Sequence, residues 1–234
     1  MTSSEEILRN GQLIVSGRLV DASNATLLAA CKLGEESIKC IYKPIAGERP
    51  LWDFPDGNLA SREFAAYLIS EFMELHIVPM TMLRDGPFGS GMVQEWIEID
   101  FEIDLANFFS QDDPQLRQMA LFDAVINNTD RKIGHLLPRS DGKLFGCDHG
   151  VTFHKEDKLR TVLWQWADEI FSDKELEALN NLLHVLQSKP GEILKSLITV
   201  EEFSALRLRI ENLLVSGKFP TPSADWPAIP WPAF

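Results

Sequence analysis

Residues 12–20, 26–33 and 37–43 are short stretches rich in apolar and β-branched residues and read as strands. Asp21-Ala22-Ser23-Asn24-Ala25 reads as the turn between the first two, so the three are expected to form an antiparallel meander. Over 59–73 the spacing becomes helical, with Phe64, Ala65, Leu68, Ile69 and Phe72 on one side. Residues 77–83 and 92–97 return to strand patterning, with Arg84-Asp85-Gly86-Pro87-Phe88-Gly89 as their turn. The glycines at 86, 89 and 91 are turn residues and not a phosphate-binding loop, because no helix follows them. A short helix is predicted over 104–109. The next opens at Asp113-Pro114, a capping acid before proline at the first helical position. Leu116, Met119, Ala120, Phe122, Ala124 and Ile126 form its buried face, and Asn127-Asn128 end it. Ser172-Asp173-Lys174-Glu175 and Thr199-Val200-Glu201-Glu202 are capping boxes that open two further helices. The last stretch, PTPSADWPAIPWPAF, is too rich in proline for regular structure, and sequence leaves open whether it packs on its own domain or on a partner. The pattern predicts an α+β chain of two lobes: β-rich over 1–97, helical over 98–219, then a Pro/Trp-rich tail over 220–234.

Composition narrows the class. The chain has 234 residues, 45% of them hydrophobic and 24% charged, as in an ordinary globular protein. No apolar run approaches the roughly 20 residues that span a bilayer, so no transmembrane segment is expected. The start, MTSSEEILRNG, is polar and acidic, unlike a secretory signal or a transit peptide. Cys31, Cys40 and Cys147 are scattered and odd in number, which predicts reduced thiols in a cytoplasmic protein and no zinc site. The net charge of −13 comes without a basic stripe, so neither a nucleic-acid partner nor an anionic membrane surface is expected.

The chemistry concentrates in FDAVINNTDRKIGHLLPRSDGKLFGCDHGVTF, residues 122–153. Asp130, Arg131 and Lys132 follow a helix end, and His135 comes five positions after Asp130. Two short strands turned by Ser140-Asp141-Gly142 then deliver Asp148-His149-Gly150 to the same end of a hairpin. One acid on a loop, a second ligand beyond it and a third acid after a hairpin suit phosphoryl transfer. The first acid orients a hydroxyl, and the other two hold Mg²⁺ on nucleotide phosphates. Lys43 ends the third strand on the face of Ile41 and opposite Tyr42, where it can meet those phosphates. Glu63, near the start of the following helix, and Glu71 are its candidate partners.

Asn128-Thr129-Asp130-Arg131-Lys132-x-x-His135 with Asp148-His149-Gly150 resembles the catalytic and metal loops of the phosphatidylinositol 3-/4-kinase-like and HipA-type atypical kinases. There the pattern is Asp-Arg-His-x-x-Asn followed by Asp-Phe-Gly or a variant. YKPIAGERPLWDFPDG, VINNTDRKIGHLL and CDHGVTFHKEDKLRTVLW are further similar to short actinobacterial proteins of the phosphatidylinositol-kinase-like class, over roughly residues 17 to 170. The resemblance implies a bilobal atypical protein-kinase-like fold and ATP-dependent, metal-dependent phosphoryl transfer to a hydroxyl on a protein or small molecule. It implies Asp130 as base or orienting acid, with Arg131 and Lys132 neutralising charge or orienting the loop. Lys43 and Glu63 become the phosphate clamp, the latter matching the family's arginine-glutamate pair in Arg62-Glu63. Ser23 and Asn24 take the place over the phosphates, Gln94, Glu95 and Trp96 that of the adenine hinge, and His135 and Asp148 bind the metal. The expected metal is Mg²⁺; if His135, standing where the family has asparagine, ligates it, Mn²⁺ is favoured, and otherwise the ring hydrogen-bonds the loop and touches no metal. Two alternatives share the same residues: a nucleotide-binding pseudokinase acting as an interaction module, and a kinase-fold AMP transferase.

Overall fold

Gln12–Arg18 (β1), Leu27–Leu33 (β2), Glu36–Pro44 (β3), Thr81–Gly86 (β4) and Gly89–Glu95 (β5) form one antiparallel sheet in the order β1-β2-β3-β5-β4. The structure, a computed structural model, describes residues 2–19 and 24–234. Ser23 therefore lies outside the described residues. The antiparallel meander is present, and its Tyr42 is fully buried while Lys43 faces the other way. The β4–β5 pair differs from expectation at both ends. Ile77 and Val78 are not in a strand, because their amides donate to the Ser70 hydroxyl at 3.0 and 3.3 Å. Arg84 and Asp85 belong to β4, and Gly89 and Gly91 to β5. Gly91 is needed there: a Cβ at this position would lie 2.4 Å from the Lys43 carbonyl oxygen, so only glycine lets β5 approach β3 at the lysine.

A seven-residue helix, Ser4–Asn10 (α1), precedes the sheet and buries Ile7 and Leu8 beneath it. It is too short for periodicity to reveal, although Ser3 caps it by accepting from Glu6 N at 3.2 Å.

Leu59–Phe72 (α2) joins the lobes. Its first amides are satisfied by Asn58, which accepts from Ser61 N at 2.7 Å, and by Glu48, which accepts from Leu59 N and Ala60 N at 2.8 Å each. Phe64 packs on the small core under the sheet, whereas Ala65, Ala66 and Ile69 belong to the large core of the helical lobe. A buried ion pair, Arg62 Nη2 to Glu202 Oε1 at 2.5 Å, fixes the helix to that lobe.

Leu105–Phe108 (α3) leads to Pro114–Ile126 (α4), which starts and stops where the sequence indicates. Asp113 accepts from Gln115 N at 2.7 Å, and Asn127 caps the other end in the left-handed region at φ 50°. Leu136–Pro138 (β6) and Leu144–Gly146 (β7) are the expected hairpin. Asp173–Leu186 (α5) and Val200–Ser216 (α7) both carry complete capping boxes. Lys189–Leu197 (α6) lies between them, hidden in the sequence by Pro190 and Gly191. Proline is tolerated in a first helical turn, and a Cβ at Gly191 would meet the Leu186 carbonyl oxygen at 2.4 Å.

The tail packs on its own domain. Ala228 O accepts from Thr161 N at 3.1 Å and Trp164 Nε1 at 2.9 Å, and Ala233 O accepts from Ile133 N at 2.9 Å. No helix among the described residues is long and apolar enough to cross a membrane.

Candidate active site

The loop after α4 is built around a buried charge. Arg131 and Asp123 are both fully buried, and Arg131 reaches the Asp123 carboxylate through Nε at 3.0 Å and Nη2 at 2.9 Å. Asn128 Nδ2 at 2.9 Å and Thr161 Oγ1 at 3.1 Å also donate to Asp123. Arg131 is thus enclosed within the fold rather than exposed to the cleft. Asn128 Oδ1 accepts from Asp130 N at 3.0 Å, which directs the Asp130 carboxylate outward. Asn127 donates to the carbonyls of His154 and Glu156 and accepts from Lys158 N. Both asparagines thus do more than end a helix. Asp130 faces Lys132 Nζ at 3.3 Å, and partial burial raises its pKa.

Across the cleft, Lys43 Nζ lies 2.5 Å from Glu63 Oε1 and 2.7 Å from Asp148 Oδ1. Glu71, the rival of Glu63, instead lies 3.0 Å from His76 Nδ1. Burial alone would lower the Lys43 pKa, but the charges of Asp148 and Glu63 outweigh it and hold the ammonium above its usual value. The same ammonium keeps Asp148 well below the carboxylate range, while burial raises Glu63. Asp148 sits at φ 61°, a left-handed conformation that a non-glycine residue holds only where its surroundings impose it. Here Glu63 Oε2 accepts from His149 N at 3.0 Å, and Arg131 Nη2 donates to His149 Nε2 at 2.7 Å. That ring is consequently neutral with its proton on Nδ1, an atom with no partner among the described residues, and burial holds its pKa well below the ordinary value.

His135 Nε2 lies 3.5 Å from Asp148 Oδ2, and its Nδ1 accepts from Lys132 N at 3.4 Å. Burial lowers its pKa to about 4, so the ring is neutral in the ordinary histidine range. The tautomer that accepts at Nδ1 turns an N–H toward Asp148, and the other tautomer turns a lone pair toward the same oxygen.

Two cavities meet at Lys43 and Asp148. One, about 410 Å³, is largely apolar and lined by Ile41, Trp96, Ile97, Ile99, Leu137 and Cys147. Gln94 and Glu95 also border it. The Gln94 side chain is committed to Thr81 Oγ1 at 2.8 Å, and the amides of Glu95 and Trp96 donate to Met80 O and Lys39 O. Backbone donation by Glu95 and Trp96, as expected of a hinge, is therefore already used within the fold. The amides of Ile97, Glu98 and Ile99 have no partner among the described residues. The second cavity, about 520 Å³, is lined by Asn24, Arg49, Trp52, Asp130 and Arg160 besides the shared Lys43 and Asp148. Asn24 faces it but spends its Oδ1 on Arg49 N at 3.0 Å. Phe54 anchors the intervening segment by an edge contact with His154 at 5.4 Å, and His154 is buried. Trp52 is 82% exposed.

The parts played by Arg160 and Thr161 escaped the sequence reading, as did the contact of Asn128 with Asp123. Arg160 N donates to Asn128 O at 2.9 Å, and Arg160 O accepts from Arg131 N at 3.1 Å. The segment after Asp148 is thereby laced to the loop that carries Asp130. A polar run after an Asp-x-Gly turn is the only trace of this in the sequence.

No protein-family model matches the chain. Protein Rv2133c of Mycobacterium tuberculosis (strain ATCC 25618 / H37Rv) is 42% identical over 263 residues, covering 97% of this chain and 94% of that protein. Among solved structures, the Golgi casein kinase with Mn/ADP bound superposes with a TM-score of 0.59 at 10% identity, over 89% of this chain and 73% of the other. Hydra Fam20 with sugar gives 0.50 at 11% identity, over 92% and 89%. The chain has a bilobal atypical kinase-like α+β fold. These likenesses do not reach the narrower phosphatidylinositol-kinase or HipA assignment.

Proposed function

We propose that this chain, which belongs to the family of Protein Rv2133c, is an ATP-dependent, metal-dependent phosphotransferase acting on a hydroxyl of a protein or small molecule. The observation that carries this is the Lys43 ammonium between Glu63 and Asp148, at 2.5 and 2.7 Å, with Asp130 facing the adjoining cavity. The apolar cavity suits adenine, and Lys43 the nucleotide phosphates beyond it. The Golgi casein kinase of the same fold was solved with Mn and ADP. Within the class, the loop motifs favour the phosphatidylinositol 3-/4-kinase-like and HipA-type branch, with no lipid acceptor implied for a chain of net charge −13. The free thiols of Cys31, Cys40 and Cys147 suit a reducing cytoplasm.

The donor set fits a divalent cation. Asp148 presents a half-exposed carboxylate to both cavities with His135 behind it. No three metal-ligating side chains converge among the described residues, as suits Mg²⁺, which takes one or two protein carboxylates and completes its shell with phosphates and water. A cation bound there would neutralise charge on the phosphates. Asp130 accepts the proton of the attacking hydroxyl, helped by the burial that raises its pKa. Labelled ATP incubated with the protein and cell extract tests the reading. Transfer of the γ label supports a kinase, transfer of the α label an AMP transferase, and transfer of neither a binding module.

Nucleotide binding is expected to depend on Lys43 and Asp148. Lys43→Ala and Asp148→Ala should each remove most of the thermal stabilisation by ATP with Mg²⁺, which amounts to about 2.7 kcal/mol at 100 times the dissociation constant. Two variants that still shift like wild type would place the nucleotide elsewhere.

Metal preference should report on His135. If its lone pair faces the metal, activity is higher with Mn²⁺ than with Mg²⁺, and His135→Asn moves the preference back. The ring protonates only as pH falls toward about 4, so this preference should hold without change through the ordinary histidine range. Equal Mn²⁺/Mg²⁺ ratios in wild type and His135→Asn would assign the ring to hydrogen bonding with Asp148 alone.

A further inference from the structure

We propose that the second cavity binds a small hydroxyl compound carrying an anionic group, phosphate or carboxylate, held by Arg160 and Arg49 beside the acid that orients its hydroxyl. The proposal deepens the phosphotransferase reading and rests on it. The cavity's volume of about 520 Å³ falls within the roughly 300–1,000 Å³ of small-molecule sites.

Every acid that lines it among the described residues is already committed. Glu48 accepts from the first two amides of α2, Asp53 pairs with Lys158 at 2.8 Å, Glu63 and Asp148 share Lys43, and Asp130 faces Lys132. Arg49 and Arg160 have no ion pair among the described residues, and Arg160 Nε is buried with no hydrogen-bond partner there. A guanidinium matches phosphate or carboxylate with paired donors.

Their position separates acceptor from nucleotide. Arg160 is laced by its backbone to Asn128 and Arg131, on either side of Asp130. It lines this cavity and not the apolar one. A group that holds the acceptor must stand next to the acid that orients its hydroxyl, and Arg160 does. In the reaction the acceptor oxygen forms a bond to the γ phosphorus while the bond from that phosphorus to the β–γ bridging oxygen breaks. The hydroxyl proton passes to Asp130, ADP leaves, and the acceptor's own anionic group stays on the arginines.

The test is calorimetric titration of the full chain, first with a non-hydrolysable ATP analogue and Mg²⁺, then at saturation with glycerol 3-phosphate, glycerate, inorganic phosphate or glycerol. Glycerol 3-phosphate or glycerate is expected to bind and glycerol not, with the stronger of the two identifying the anion. Arg160→Gln should weaken that binding roughly ten- to hundredfold, as for one hydrogen bond to a charged group, with Arg160→Lys intermediate. Nucleotide affinity should stay within about threefold. Equal weakening of the nucleotide would give the arginine to the γ-phosphate and overturn the proposal. So would equal binding of glycerol, or failure of all three anions in a protein that binds nucleotide. A protein that binds no nucleotide in the first titration would instead sink the phosphotransferase reading.

Discussion

Asp123→Asn is expected to lower unfolding stability by about 3–5 kcal/mol, because it strands the Arg131 charge in a fully buried site. For a chain of this size that corresponds to a fall in melting temperature of roughly 6–20 °C. The carboxylate takes donors from Arg131, Asn128 and Thr161, so asparagine, with one oxygen and two N–H groups, cannot replace it. Because Asn128 and Arg131 flank Asp130, the damage should also show as faster amide exchange across residues 127–132. The paired change Asp123→Leu with Arg131→Met removes both charges and should recover much of the loss, since apolar replacement of a buried pair is often tolerated. A single variant within about 1 kcal/mol of wild type would mean that Arg131 is not held by this pair.

Much of this frame is legible in the sequence, for identifiable reasons. The meander, the placement of Lys43 opposite Tyr42, and the two capped ends of α4 follow from local patterning and cap chemistry, which do not depend on distant contacts. Choosing Glu63 rested on the resemblance as well as on helix position. What the sequence concealed depends on pairing across the fold. Asp-Arg-Lys looks the same whether its arginine is solvated or buried. The available signal was Asp123 itself, an acid on the apolar face of α4 among Met119, Ala120 and Ile126, where an unpaired carboxylate would be prohibitively costly. The hinge amides could not be foreseen as occupied, because Met80 and Lys39 reach them only through the sheet. Nothing local signals that Phe54 and the Asn127 clasp enclose His154. The tail's attachment through Ala228 and Ala233 uses backbone carbonyls, which carry no side-chain signature.

The central claim is that Asp130 orients a hydroxyl toward the phosphate of a bound nucleotide, and Asp130→Asn separates binding from chemistry. Asparagine keeps the shape, and the loop remains pinned through Asp123 and Asn128, so nucleotide binding should persist. Proton acceptance is lost, and an acid or base of this kind is worth about 10²–10⁴ in rate. Because that contribution is made in the transition state, it should appear in turnover and not in affinity. The most direct measurement is γ-label transfer from ATP into cell extract by wild type and Asp130→Asn at saturating nucleotide, with ATP-induced thermal stabilisation read on the same samples. The account predicts transfer by wild type, its fall by about two to four orders of magnitude in the variant, and equal stabilisation of both proteins. Transfer by Asp130→Asn at the wild-type rate would contradict it.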